Sequence, residues 1–400
     1  MFKNLIKFMN GRQFTETLKQ ELYVNYIKNK ELKIDTDNQL LLLFNKKTDT
    51  EIQREANGVI FDKNTNKVVC ACYPDFVNIN NNDELTKFVD NESIDSIESI
   101  EYCEDGTVIR LYYYNNQWRT ATKKCIDARY SSWSSKKSFD NIFWELFNNS
   151  DETGREPCSQ GINDELLDKN RTYLFILLHV ENVLVVKHQN NKLIYKGSIH
   201  NDTFEIKEDY DSLFTNHKYI ENVEKIDLSQ YYTSNSDDII LNQSLILTSE
   251  NINKLMFNNS KRGILFKFKN NDNIYKYDFD NFKLLNDIRG NEPLIRIRYL
   301  ELLSEPEKLN LLIKYYPEYH MVFSMIYHNI MYICNDIYMV YRNSHIKHII
   351  KIDDTHKYYR TIKQIHAQYK RTNIPITKND ILEKLKSLNT HVLKNLLGWI

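Results

Sequence analysis

The stretch EYCEDGTVIRLYYYNNQWRTATKKCIDA, residues 101–128, decides the fold. Val108, Arg110, Tyr112 and Tyr114 alternate with Ile109, Leu111 and Tyr113, the period of two that sends successive side chains to opposite faces of a strand. Asp105-Gly106 and Asn115-Asn116 flank this run. Both are turn signals, because Gly and Asn enter the left-handed backbone region at low cost. The pattern predicts strand, turn, strand, and then a hairpin into Trp118. Upstream, residues 55–80 (EANGVIFDKNTNKVVCACYPDFVNIN) predict a second hairpin, with β-runs at 59–61 and 67–73 around the polar turn 62–66. Residues 40–45 read as a short strand. Residues 1–35 read as helical, from Phe14, Leu18, Leu22 and Ile27.

Downstream, Ser138 is the predicted N-cap of a helix whose apolar face is Ile142, Phe143, Leu146 and Phe147. A polar loop is expected over 149–168. Two apolar runs over 172–188 (TYLFILLHVENVLVVKH) predict a buried strand pair. A polar turn follows near Asn190-Asn191, and residues 189–259 carry weak signals. Residues 260–268 (SKRGILFKF) alternate as a strand, and residues 274–278 (IYKYD) read as another. Beyond about residue 290 the character changes. Val322, Ile326, Ile330, Ile333, Ile337 and Val340 recur at helical spacing, as do residues 356–369. TKND at 377–380 has capping-box form ahead of Ile381, Leu385, Leu388, Leu393 and Leu397. The expected fold class is therefore α+β, with an antiparallel-sheet domain over residues 1–290 and an all-helical domain over 291–400.

Length and composition bound the function. The 400 residues are 42% hydrophobic and 27% charged, with a formal net charge of -1, so no global basic field draws the chain to nucleic acid. With 27 Tyr, 9 Gly and 6 Pro, the bias reads as that of an AT-rich genome, including a viral one, rather than as chemistry. There is no Walker-type loop. Cys70 and Cys72 form CxC rather than a metal-spaced pair, and the six cysteines read as reduced, buried thiols of an intracellular protein. The expected location is cytoplasmic, with a viral factory or virion as the viral version. The N-terminus lacks an uninterrupted apolar region and no run of about 18 apolar residues occurs, so no membrane association is expected. Phe2, Leu5, Ile6 and Met9 suggest a docking helix. His345 and His348 are the nearest histidine pair of the helical part, and no metal site is predicted there. The basic run 342–351 (RNSHIKHIIK) reads as a solvated helix face.

CEDGT at 103–107 resembles the KxDG signature of the covalent nucleotidyltransferases, above all the phage-type ATP-dependent RNA ligases, whose site typically reads KEDGS or KEDGT. In that family the lysine attacks the α-phosphate of ATP and carries AMP. Cys103 stands at the lysine position. The resemblance spans about residues 50–290. It retains Gly58, Phe76, Asn78, Asp105, Gly106, Phe175, Asn182 and Gly263. It departs at Asn57, Asp75, Cys103, Ile176, Arg262 and Asp278, where the family carries arginine, lysine, lysine, glutamate, glutamate and lysine.

The resemblance thus implies a retained ligase fold with a lost reaction. Cys103 is a vestigial nucleophile, and no catalytic residue and no metal ligand are assigned. Glu104, Asp105, Gly106, Lys123, Gly263 and Lys276 are the positions that would face a nucleotide. No cofactor is required; ATP and magnesium enter only if a relocated lysine, Lys123 or Lys276, keeps the enzyme active. The implied partner is single-stranded RNA or RNA ends, bound through the old cleft with Arg110, Lys123, Lys124, Lys136, Lys137 and Lys276. A protein partner at the helical domain is a further expectation, and a structural or virion protein that kept the fold is the remaining alternative. Arg262 and Asp278 within ion-pair reach of each other near Cys103 would mean a pocket sealed by its own charges.

Overall fold

Asn115 and Asn116 both adopt positive φ, 50° and 58°. That geometry matches the right-handed twist of antiparallel strands, so it closes a tight two-residue hairpin. The hairpin joins β6 (Thr107–Tyr114) to β7 (Gln117–Thr122), paired from Tyr114↔Gln117 to Ile109↔Thr122. The computed structural model describes residues 39–44, 50–62, 64–65, 67–91, 96–148, 167–208, 214, 217–226, 232–233, 244–245, 261–269 and 271–399. The helix expected over 1–35, with its docking face, and nearly all of the loop expected over 149–168 lie outside these residues.

The chain divides into two compact units, residues 1–283 and 284–400. In the first, β6 and β7 belong to a sheet ordered β10-β9-β8-β6-β7, built with β8 (Arg171–Leu178), β9 (Lys192–His200) and β10 (Ile206–Lys207). A further strand, β11 (Ile220–Asn222), lies parallel to β9. One face of this sheet is covered by α3 (Phe139–Phe147), capped by the Ser138 hydroxyl at Asn141 N as predicted. Phe143, Phe147, Phe175, Tyr195 and Phe214 stack there edge to face, which supplies most of that core. A three-stranded sheet, β1 (Leu40–Leu42), β2 (Ile60–Asp62) and β3 (Val68–Cys70), is the predicted upstream hairpin with one strand added. Its residues Leu40, Ile60 and Cys70 cluster with Tyr112, Tyr114 and Ala121 of the β6–β7 hairpin. The alternation therefore buries both faces of β6.

A second sheet is ordered β4-β15-β14-β5, from β4 (Val77–Ile79), β15 (Asn271–Asp278), β14 (Gly263–Phe268) and β5 (Ile97–Cys103). Helix α2 (Asn82–Asn91) places Phe88 against Phe266, Phe268 and Tyr275, at 4.7–5.6 Å between centroids. β12 (Tyr232–Thr233) and β13 (Ser244–Leu245) form a separate two-stranded sheet. Helix α1 (Glu51–Ala56) leads into Asn57.

Three expectations are corrected here. β5 and β6 do not form a hairpin: β5 pairs with β14 and β6 with β7 and β8, so residues 104–106 carry the chain from one sheet to the other. Alternation reports which face a side chain takes, not which strand lies alongside, so the sheet change leaves no trace in the periodicity. Gly106 is not among the positive-φ glycines. Its lack of a side chain matters for space, because a Cβ would meet Ile176 Cγ2 and Leu178 Cδ2 at 2.5 Å. The second apolar run over 172–188 is not a strand: β8 ends at Leu178, and Val185 and Val186 instead lie in the connection to β9.

The second unit is helical. Its elements are the end of α4 (Asp280–Arg289), then α5 (Ile295–Glu301), α6 (Pro306–Tyr315), α7 (His320–Tyr341), α8 (Tyr359–Thr372), α9 (Lys378–Lys386) and α10 (Thr390–Leu396). Phe323, Ile326, Ile330, Ile333 and Ile337 of α7 meet Ile362, Ile365, Ile381, Leu385 and Leu393 in one core. The Thr377/Asp380 capping box is present, and Asn389 caps a separate last helix. No helix among the described residues is long and apolar enough to cross a membrane.

Candidate active site

The strand register sets Cys103, Gly263 and Asp278 side by side across the end of the second sheet. Gly263 must lack a Cβ, which would collide with the Tyr277 carbonyl. Arg262, one residue before β14, bonds its backbone N–H to the Cys103 carbonyl at 2.9 Å. Its guanidinium grips Asp278 with two parallel bonds, Nε to Oδ1 at 2.8 Å and Nη2 to Oδ2 at 3.1 Å, the geometry that makes Arg–carboxylate pairs strong. Lys276 Nζ reaches the same carboxylate at 3.2 Å, because residues two apart on a strand share a face. Burial works against all this charge. The pair outweighs it, holding Asp278 below and Arg262 above their ordinary values.

Cys103 is buried among Leu265 and Ile274, with Tyr73 and Phe76 packed alongside. Burial pushes its thiol up to about 11, although Arg262 and Lys276 favour the thiolate. At neutral pH only about one molecule in ten thousand would hold the thiolate, the form that acts as a nucleophile.

A second cluster joins three more of the named positions. Asn57 donates from Nδ2 to Asp75 Oδ2 at 2.6 Å, and the Lys123 ammonium pairs with Asp75 Oδ1. Lys123 thus sits in the turn after β7 as an ion-paired side chain. Burial lowers its pKa, and the charges of Lys124 and Lys276 lower it further while Cys72 opposes them.

The signature itself is engaged in holding the fold. Asp105 Oδ2 accepts from the N–H groups of Val185 and Val186, both at 2.8 Å, and its carbonyl accepts from His188 Nε2 at 2.7 Å. Glu104 is buried against the Lys261 ammonium, which also reaches Glu224 at 2.8 Å. Ile176 pairs with Val108 and fills the space against Gly106. Asn182 donates to Thr107 Oγ1 at 3.2 Å, while its buried Oδ1 has no hydrogen-bond partner among the described residues. Behind the site, Glu101 is buried between Lys196 at 2.7 Å and Lys267 at 2.6 Å. Against the burial that would raise it, these two cations hold Glu101 down at about 2.

Of the positions expected to face a nucleotide, Lys276 and Gly263 meet beside Cys103, and Lys123 stands in the adjoining cluster. Glu104 and Asp105 are bonded to protein groups. Arg110 leaves the set altogether. It is fully buried and donates to the carbonyls of Gly58, Ala71 and Thr122, which reading by alternation alone could not anticipate. Lys137 is paired with Glu145 at 2.9 Å. The groups that sequence reasoning missed are Lys196, Lys261 and Lys267, cations that meet their carboxylates only across strands.

The resemblance implies ATP with a divalent metal, and the residues at the named positions are poor ligands for a cation. Ile176 and Arg262 cannot ligate a cation, Asp105 Oδ2 already accepts two backbone N–H groups, and Glu104 is paired with Lys261. No group of three or more His, Cys, Asp or Glu side chains among the described residues is arranged to hold one.

Two sheets joined through a CEDGT crossover are the arrangement of a nucleotidyltransferase-like fold. The chain matches the RNA ligase family over residues 55–281, more than half its length, and belongs to that family. No curated protein matches it. Among solved structures it is similar to a candidate ATP-dependent DNA ligase of Aquifex aeolicus, at 13% identity, 90% of this chain and 81% of that one, TM-score 0.41. It is also similar to an archaeal ATP-dependent RNA ligase, at 9% identity, 73% and 68% coverage, TM-score 0.41. A Naegleria gruberi RNA ligase solved with ATP and manganese matches at 11% identity over 51% of this chain and 54% of that one, TM-score 0.33.

Proposed function

We propose that this member of the RNA ligase family does not form a covalent nucleotidyl intermediate and acts as an RNA-binding protein built on the ligase fold. The observation that carries the reading is the Arg262–Asp278–Lys276 cluster beside Cys103. Attack on a phosphoanhydride needs a deprotonated nucleophile and uncommitted cations to take up the developing charge. Here the nucleophile position is a buried thiol and the neighbouring cations already share a carboxylate. RNA as the partner follows from family membership.

A second reading has one observation in its favour. Burial lowers the Lys123 pKa, as an amine nucleophile requires, so Lys123 would be the relocated lysine of an active ligase. Its pairing with Asp75 favours the charged ammonium and works against this. Incubation with α-phosphate-labelled ATP and magnesium, followed by denaturing electrophoresis, separates the two. No labelled band is expected. A band abolished by Lys123→Ala, Lys276→Ala or Cys103→Ala would overturn the proposal. Salt-dependent binding of single-stranded RNA separates an RNA-binding role from a purely structural one.

A further inference from the structure

The charge of this chain is unevenly divided. Residues 284–400 carry 17 Lys and Arg against 11 Asp and Glu, whereas residues 1–283 carry 36 against 43. Within the helical unit the excess gathers on α8, whose sequence YRTIKQIHAQYKRT contains no carboxylate. Its inner face, Thr361, Ile362 and Ile365, is buried in the core. Arg360, Lys363, Lys370 and Arg371 are all exposed, on the side away from those isoleucines. None of the four is within ion-pair reach of a carboxylate among the described residues, unlike Lys308, which reaches Asp287 and Glu305, or Lys386, which reaches Glu383.

Two of these cations are placed against the helix's own interests. Arg360 lies in its first turn, which has no acidic residue, and Lys363 begins the second. The macrodipole is positive there, and like charges three residues apart repel. Apart from the Lys363 ammonium over the Tyr359 ring at 5.9 Å, this costly arrangement has no carboxylate partner among the described residues, which points to a ligand that supplies the compensation. The positive field extends to the neighbouring turn. His345 and His366 lie 4.4 Å apart between ring centroids, with Tyr341 stacked on His345 and Tyr369 on His366. Burial lowers the pKa of both imidazoles; the charges of His366, His348 and Lys370 add to it at His345, and that of Lys370 at His366. Arg342 and Lys378 converge over the Tyr338 ring at 5.7 and 5.8 Å. Cations interleaved with partly exposed rings are the composition that single-stranded nucleic acid takes, phosphates on the charges and bases on the rings.

We infer that the exposed face of α8, Arg360, Lys363, Lys370 and Arg371, binds the phosphodiester backbone of single-stranded RNA, with the His345–His366–Tyr369 cluster beside it as a stacking surface. Arg360 and Arg371 are eleven residues apart, about 16 Å along the helix, room for roughly three backbone phosphates. The inference rests on RNA being the partner of this family member and not on the fate of the cleft.

The test uses the full chain and a fluorescent 20-mer of oligouridylate, with anisotropy measured from low to moderate salt. Wild-type protein is expected to bind with a steep salt dependence. The variant Arg360→Gln/Lys363→Gln/Lys370→Gln/Arg371→Gln is expected to bind at least about tenfold more weakly, with a log–log salt slope shallower by about 2–3. A charge-matched control, Lys192→Gln/Lys283→Gln/Lys308→Gln/Lys386→Gln, removes lysines that are already paired and is expected to bind as wild type does. Absence of wild-type binding, equal loss in both variants, or an unchanged slope in the α8 variant would overturn the inference. So would capture of the protein by anionic vesicles through Ile346, Ile349 and Ile350 without any RNA binding. Should the α8 variant fail to fold, acetylation footprinting of wild-type protein decides. RNA is expected to slow modification of Lys363 and Lys370, and equal rates with and without RNA refute it. A labelled adenylate band would overturn the proposed function while leaving these outcomes untouched.

Discussion

Glu101 gives the sharpest energetic test. Its carboxylate is 1% exposed and held by the ammoniums of Lys196 and Lys267, and its pKa falls from 4.5 to about 2. Taking the unfolded chain at the ordinary value, that difference is worth on the order of 3 kcal/mol at neutral pH. Loss of one partner from a buried pair, about 3–5 kcal/mol by analogy, agrees with it. Glu101→Gln is therefore expected to destabilise the first unit by about 3 kcal/mol at pH 7, a fall of roughly 6–10 °C in its melting temperature. The sign with pH follows from the depressed folded pKa. The stabilisation is complete above the unfolded pKa and is lost as pH falls from about 4.5 toward 2, so at pH 3 the gap between wild type and variant should shrink to about 40% of its neutral value. Urea unfolding followed by tryptophan fluorescence at the two pH values reads both quantities. A gap under about 1 kcal/mol at pH 7, or one that stays constant down to pH 3, would refute the reasoning.

Two further perturbations address the site. Asp278→Asn releases Arg262 and Lys276 from their shared carboxylate, and calorimetry should show pyrophosphate or ATP binding about tenfold tighter than to wild type; unchanged affinity would mean that the cations are unreachable for another reason. Asp105→Ala removes the carboxylate that accepts from the buried Val185 and Val186 N–H groups, so a loss of about 2–4 kcal/mol is expected, with faster proteolytic cleavage between β8 and β9; protection equal to wild type would show that the bonds are dispensable.

How much of this was legible in the sequence depended on range. The Asn115-Asn116 turn was readable because its φ preferences are local, and α7 and α9 because their apolar spacing and capping residues lie within a few turns. The Arg262–Asp278 pairing could be anticipated because the sequence sets an arginine and an aspartate of opposite charge at the facing ends of two predicted strands. What needed coordinates was contact between distant segments. Val185 and Val186 look like a strand until their N–H groups are found on Asp105. Arg110 alternates like a surface residue, yet it satisfies three carbonyls in the core. His345 was matched with His348 by proximity along the chain, whereas its ring lies against His366, twenty-one residues on.

The crossover at residues 104–106 bears on how signatures of this kind are interpreted. Asp105 anchors the loop after β8, and Gly106 lets β8 side chains approach where the chain changes sheets. Both demands are mechanical and hold whether or not a nucleotide is ever attacked. An Asp-Gly pair at such a crossover therefore reports the architecture rather than the chemistry. Under the function proposed above, the letter that would carry the chemistry is the one two places before Asp105, where architecture tolerates sulfur.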